Sequence, residues 1–117
     1  VLLNRNAAVP WFILVPQTSM HDILDLPEDQ REAILAECAA VSRFIKQQLG
    51  FDKVNFAGLG NVVSVMHLHI IGRHSKDPCW PQPVWGNLPL GEPYAPEQLR
   101  EWQLNLVKTV GLTAATL

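Results

Sequence analysis

Several things are scarce in this sequence. Only two of its 117 residues are cysteine, Cys38 and Cys79, too few for the disulfide framework of a small secreted domain. A reducing, cytoplasmic setting is the expected one. The longest apolar run is Trp11 to Val15, far short of the about 20 residues that cross a bilayer, so no membrane association is expected. Cations are few and scattered, nine Lys and Arg against eleven Asp and Glu, for a formal net charge of −2. A nucleic-acid or anionic-membrane binder gathers positive charge on one face, which argues against both partners. A short nucleotide remains feasible, because one phosphate needs only a few donors. Internal repeats and low-complexity segments are absent.

What remains is an ordinary globular balance, 48% hydrophobic and 17% charged, in a chain long enough for one domain around one core. VLLN and WFILV are strand-like runs separated by RNAAVP, in which Pro10 and the Asn4-Arg5-Asn6 cluster supply the turn of a hairpin. From Pro27 to Leu49 the apolar period becomes helical: Ile34, Cys38, Val41, Ile45 and Leu49 recur at spacings of four and three. Pro27 suits a helix start, Glu28 and Asp29 suit the positive end of the dipole, and Gly50 is a ready stop. Cys38 lies on the apolar stripe and is expected to be a buried thiol. The exposed face, with Glu28, Asp29, Glu32 and Glu37, implies no chemistry.

DKVNFAGLG reads as a strand ending in small residues, where Gly58 and Gly60 allow a tight turn or close approach to a ligand. A second strand is expected from Val65 to Arg73. The stretch from His74 to Pro96 holds six prolines and two tryptophans, and a loop of that length in a compact domain is usually functional. A last helix starts near Pro96, buries Leu99, Trp102, Leu106 and Val110, and stops at Gly111. The expected class is α+β, an antiparallel sheet with one long helix packed on it and a C-terminal helix. Residues 1–111 form the single domain and 112–117 a tail.

The informative segment is VMHLHIIGR. Strand alternation puts Val65, His67, His69, Ile71 and Arg73 on one face and Met66, Leu68 and Ile70 on the other, core-facing one. Three readings compete for the paired imidazoles. They can be ordinary polar residues of a solvated face. They can be two ligands of a metal, although a catalytic zinc wants three ligands and a structural one four, with His74 on the next turn, His21 remote, and no CxxC or HExxH in support. Or one can be a nucleophile, since a neutral imidazole offers a free ring nitrogen once a partner anchors the other. Arg73, near the strand end, is expected to be a surface ion-pair residue, and His74 and His21 to be solvated.

NVVSVMHLHIIGR, followed by DPCWPQPVWG, resembles the histidine-triad (HIT) family, marked by three histidines alternating with apolar residues on a strand. VLLNRNAAVPWFILVP is similar to that family's opening hairpin. The long helix, the glycine-containing segment before Asn61 and the Trp-Pro loop follow in the family's order. The resemblance implies a homodimeric nucleotide hydrolase or transferase. His67 would attack the α-phosphorus of a dinucleoside polyphosphate or nucleoside phosphoramidate and form a nucleotidyl-histidine. His69 would lie near the scissile bridge. Asn4, Gly60, Asn61, Ser64 and Trp80 would contact substrate. No metal is required, and Mg²⁺ would accompany only a polyphosphate substrate. Simpler roles stand beside these: hydrogen bonds at turns and strand ends for Asn4 and Asn61, and hydrophobic plugs under the proline-rich loop for Trp80 and Trp85.

The first histidine of the triad is replaced here by Val65, where similar chains often carry Gln. Its side chain can neither donate nor accept a hydrogen bond. A polar group in that place is expected to orient His69, so proton delivery to the leaving group is the weakened part. A nucleotide-binding protein of the same fold with little turnover is the alternative; a metal-binding or purely structural sheet ranks below it.

Overall fold

A computed structural model describes residues 1–110 and 115–116. The apolar runs form strands β1 (Leu2–Leu3), β2 (Trp11–Leu14), β3 (Lys53–Ala57) and β4 (Leu68–Arg73), with a short β5 (Ala115–Thr116). They make one sheet in the order β3-β4-β2-β1-β5. The first four pair antiparallel, and β5 joins β1 in parallel. The expected hairpin is present, with Leu2 opposite Ile13 and Leu3 opposite Phe12.

The long helix α1 (Glu28–Arg43) runs on into a wider turn, Phe44–Gln48, closed by the Leu49 N–H donating to the Phe44 carbonyl at 3.2 Å. Gly50 ends it at φ +78°, a conformation that costs glycine little. The predicted stripe is the buried one: Cys38, Val41 and Ile45 lie in the core and Ile34 and Leu49 pack at its edge. Burial raises the Cys38 thiol to a pKa of about 11, aided by Glu37, so it is an inert apolar residue. Helix α2 (Pro96–Val110) adds Leu99, Trp102 and Leu106 to the same core. The Val110 side chain and Gly111 lie outside the described residues, as does the expected boundary into the tail. No helix among the described residues is long and apolar enough to cross a membrane.

Leu68 and Ile70 meet Phe12, Leu14, Phe44 and Leu106 under the helices. Phe12, Phe44 and Trp102 form an aromatic cluster with ring centroids 5.9–6.4 Å apart. At about 1.5–3 kcal/mol per fully buried side chain, this layer is the main stabilising term. Gly72 belongs to it by size: a Cβ there would stand 2.6 Å from Pro10 Cγ and 2.8 Å from Ile45 Cγ2.

The opposite face of β4 is not the open polar face that alternation alone implies. All six residues of β4 are buried, because the proline-rich segment folds back over the sheet and packs Val84, Trp85 and Leu88 against Val9, Trp11 and Ile71. Arg73 fastens this cover and corrects the expectation of a surface residue: it is 1% exposed. Its Nε and Nη2 donate to the two Asp77 carboxylate oxygens at 2.6 and 3.1 Å, Nη1 donates to Asn55 and Nη2 to the Gln82 carbonyl. The guanidinium also lies 5.5 Å from the Trp80 ring. Burial alone would raise the Asp77 carboxyl. Hydrogen bonds from Arg73 and from the Cys79 and His74 backbone outweigh it and hold the pKa below the ordinary value.

Candidate active site

Strand β4 starts at Leu68, later than the expected Val65, for a geometric reason. Strand β2 ends at Leu14 opposite Leu68, ahead of Pro16, and β3 ends at Ala57 opposite His69. His67 therefore stands one residue beyond the ladder, where its side chain is not committed to the sheet. His69 is within it.

The two imidazoles are adjacent, ring centroids 5.1 Å apart at 75°, yet their surroundings differ. His67 Nδ1 lies 2.6 Å from the Val65 carbonyl oxygen. A carbonyl only accepts, so Nδ1 carries the proton, and in the neutral ring the lone pair is on Nε2. The Val65 side chain, 56% exposed, contributes no polar group. Its backbone nevertheless fixes the tautomer a nucleophile needs.

His69 is 5% exposed. Its Nδ1 accepts a hydrogen bond from Trp11 Nε1–H at 2.9 Å, which places the ring proton on Nε2. Trp11 and Trp85 meet the ring edge-on with centroids at 5.8 and 5.0 Å, and each other at 5.6 Å. Burial, with a smaller contribution from His67, lowers the His69 pKa to about 4. Among the described residues, His69 Nε2 is the buried side-chain polar atom left without a partner.

A cleft of about 490 Å³ opens beside His67. One wall is the segment from His21 to Asp25, the other runs from Phe56 to Gly60, and Met66 and Leu68 line it with His67. His21, expected to be remote and solvated, is thus exposed but in the same cleft as the nucleophile candidate. Asp22 and Asp25 also line it, and no Lys or Arg does among the described residues. His74 is half-buried rather than solvated, 5.4 Å from the Phe51 ring with Nδ1 accepting the Lys76 N–H.

Of the other residues singled out, Gly60 lines the cleft at φ +67°. Asn61 and Ser64 are exposed on the loop that leads to His67. Asn4 does not line the cleft; its Oδ1 accepts the Asn6 N–H at 3.0 Å, the turn role. Trp80 sits by Arg73, apart from the cleft. Trp85 is a plug over His69. Among the described residues no three His, Cys, Asp or Glu side chains gather into a metal-binding set.

Trp11 and Asp77 had no assigned role in the sequence. Hydropathy places Trp11 in a strand core; only the register, Ile13 opposite His69 and Trp11 opposite Ile71, brings its N–H to the imidazole. The D-P-C-W run four residues after Arg73 was the available signal for Asp77.

An antiparallel sheet backed by two helices, with adjacent histidines at the start of a central strand, defines a histidine-triad fold, and the comparisons agree. The family profile described as the HIT domain matches residues 1–76, well over half of the sequence. The protein belongs to the histidine-triad (HIT) family. A histidine triad protein from Marinobacter aquaeolei VT8 has a crystal structure similar at TM-score 0.80 and 40% identity, covering 92% of this chain and 78% of that one. A histidine triad protein from Bradyrhizobium japonicum is similar at 0.81 and 34%, covering 91% and 79%. One from Sinorhizobium meliloti 1021 is similar at 0.80 and 32%, covering 90% and 78%. No curated protein matches the sequence. Family membership supports a nucleotide-binding or hydrolase role.

Proposed function

We propose that the protein is a nucleotide hydrolase or transferase in which His67 attacks the α-phosphorus of a nucleotide derivative. The observation that carries this reading is the Val65 carbonyl on His67 Nδ1, which in the neutral ring puts the lone pair on Nε2, beside an open cleft. As the Nε2–P bond forms, the bond from phosphorus to the leaving group breaks and its electron pair departs with that group. Positive charge develops on the His67 ring, and the Nδ1–H to carbonyl bond stabilises it. Water then attacks phosphorus, the P–N pair returns to Nε2, and the proton of water passes to solvent. The apolar side chains Ile23, Leu24 and Leu59 suit the faces of a nucleobase.

No metal is assigned to the nucleophile; a divalent cation would enter only with a polyphosphate substrate. A second copy of the chain is the proposed partner. Among the described residues no strand pairs with the outer edge of β3, Phe56 is 47% exposed on it, and a groove of about 320 Å³ beside it is walled by Leu35 and Ala39 of α1. The test of the catalytic reading is mass spectrometry after incubation with a diadenosine polyphosphate. Nucleotide attached to His67, and lost in His67→Ala, is expected. Nucleotide binding without adduct or turnover favours the second reading, a binding protein of this fold, to which the apolar Val65 side chain lends support.

A further inference from the structure

His69, buried beside His67, accepts a hydrogen bond from an indole. Trp11 Nε1–H can only donate, and it occupies His69 Nδ1 at 2.9 Å. A second proton could enter the ring only at Nδ1, where it would face the indole N–H head-on. The one proton His69 does carry, on Nε2, is shut off from solvent and has no partner. Among the described residues, the groups around the ring offer no countercharge. Ile13 and Ala57 lie opposite it on the neighbouring strands, Trp11 and Trp85 pack on it, and His67 is the titratable neighbour. An imidazolium here would be unpaired, desolvated and next to the ring on which attack creates positive charge.

We infer that Trp11 is a positioning residue that keeps His69 uncharged beside the nucleophile, and that the site in consequence takes nucleotide derivatives whose leaving group departs as a weakly basic anion. The inference rests on the hydrolase reading and narrows its substrate class. His67 has its Nδ1 proton on the Val65 carbonyl, the Val65 side chain has none to give, and His69 does not charge. A phosphate, carboxylate or phenolate of low basicity leaves with the bonding pair and needs no proton. An amine leaving from a P–N bond must be protonated as that bond breaks. The anhydride thus suits the site and the amidate does not.

Two measurements on the full chain test this. The first compares turnover of diadenosine tetraphosphate, the p-nitrophenyl ester of AMP and adenosine 5′-phosphoramidate. The first two are expected to react, and the phosphoramidate to be slower by about 100-fold or more, the usual worth of general-acid help. A phosphoramidate turned over as fast as the anhydride overturns the leaving-group inference and points to His21, the other imidazole of the cleft, as an acid. Failure of all three, with no adduct on His67, removes the hydrolase reading and this substrate class together. The second is independent of turnover: nitrogen NMR of the labelled wild-type protein. A scalar coupling across the hydrogen bond from Trp11 Nε1 to His69 Nδ1, with His69 Nε2 protonated, is expected. In Trp11→Phe the tautomers should mix, and anhydride turnover should fall by about 10-fold or more as the neighbouring ring loses its fixed state. Absence of the coupling, or an unchanged His69 tautomer in the variant, overturns the role of Trp11.

Discussion

The His67 imidazole is held by the backbone of Val65, its Nδ1 2.6 Å from that residue's carbonyl oxygen, so a position without a polar triad side chain still fixes the tautomer of the proposed nucleophile. Orientation of His67 and proton supply to the leaving group are therefore separable. Val65→His, which puts a titratable imidazole in that place, should change anhydride turnover by less than about threefold, while raising phosphoramidate turnover by about 100-fold or more, the lower end of the range for acid–base help. Steady-state rates on the two substrates check this, and equal effects on both would contradict it.

Arg73 and Asp77 hold the proline-rich cover over His69. Arg73→Leu leaves the Asp77 carboxylate buried and unpaired, with an expected loss of about 3–5 kcal/mol in urea unfolding. Asp77 has a lowered pKa in the folded state. Its contribution is thus full well above the unfolded carboxyl value of about 3.9 and is lost as pH falls through the lower folded value. Asp77→Asn should remove that part of the acid limb. A wild-type stability for Arg73→Leu would show that the cover is held elsewhere.

Much of this architecture is readable from local pattern. The stripe from Ile34 to Leu49, the β1–β2 hairpin, Gly50 as a stop and the core row of Leu68 and Ile70 each follow from spacing within one element. What escaped depends on contacts between elements. Arg73 looks like a strand-end surface cation until the chain after it turns back and brings Asp77 against it. Trp11 looks like core until the β2–β4 register lays it by His69. His21 looks remote because the approach of the segment before α1 to the end of β3 has no sequence period. The histidine pair was legible as a candidate site; the opposite tautomers of its members were not, since burial and a partner from another strand set them.

His69 makes a pH prediction of its own. Its folded pKa of about 4 lies below the unfolded value of about 6.5, so the unfolded chain binds the proton more readily between them. Stability from this group is full above about pH 6.5 and declines as pH falls to about 4, by up to about 3 kcal/mol at 1.36 kcal/mol per unit. His69→Asn should flatten urea-unfolding stability over that interval. Trp85→Ala, by admitting water to the ring, should raise the His69 pKa measured by NMR; a fall or no change would contradict burial as the cause.

The free edge of β3 and the exposed Phe56 predict a symmetric dimer. Light scattering across a dilution series should give twice the monomer mass at micromolar concentration, and Phe56→Lys should shift the chain to monomer. A wild-type monomer at every concentration would contradict the partner assignment.

Turnover by the proposed route requires a bond between His67 and phosphorus. Quenching a reaction with diadenosine tetraphosphate in the first turnovers and mapping the modified residue by mass spectrometry tests it most directly. An AMP adduct on His67 is expected, absent in His67→Ala and unaffected in kind by His69→Asn. Turnover with the adduct on another residue, or with none at all, would contradict it.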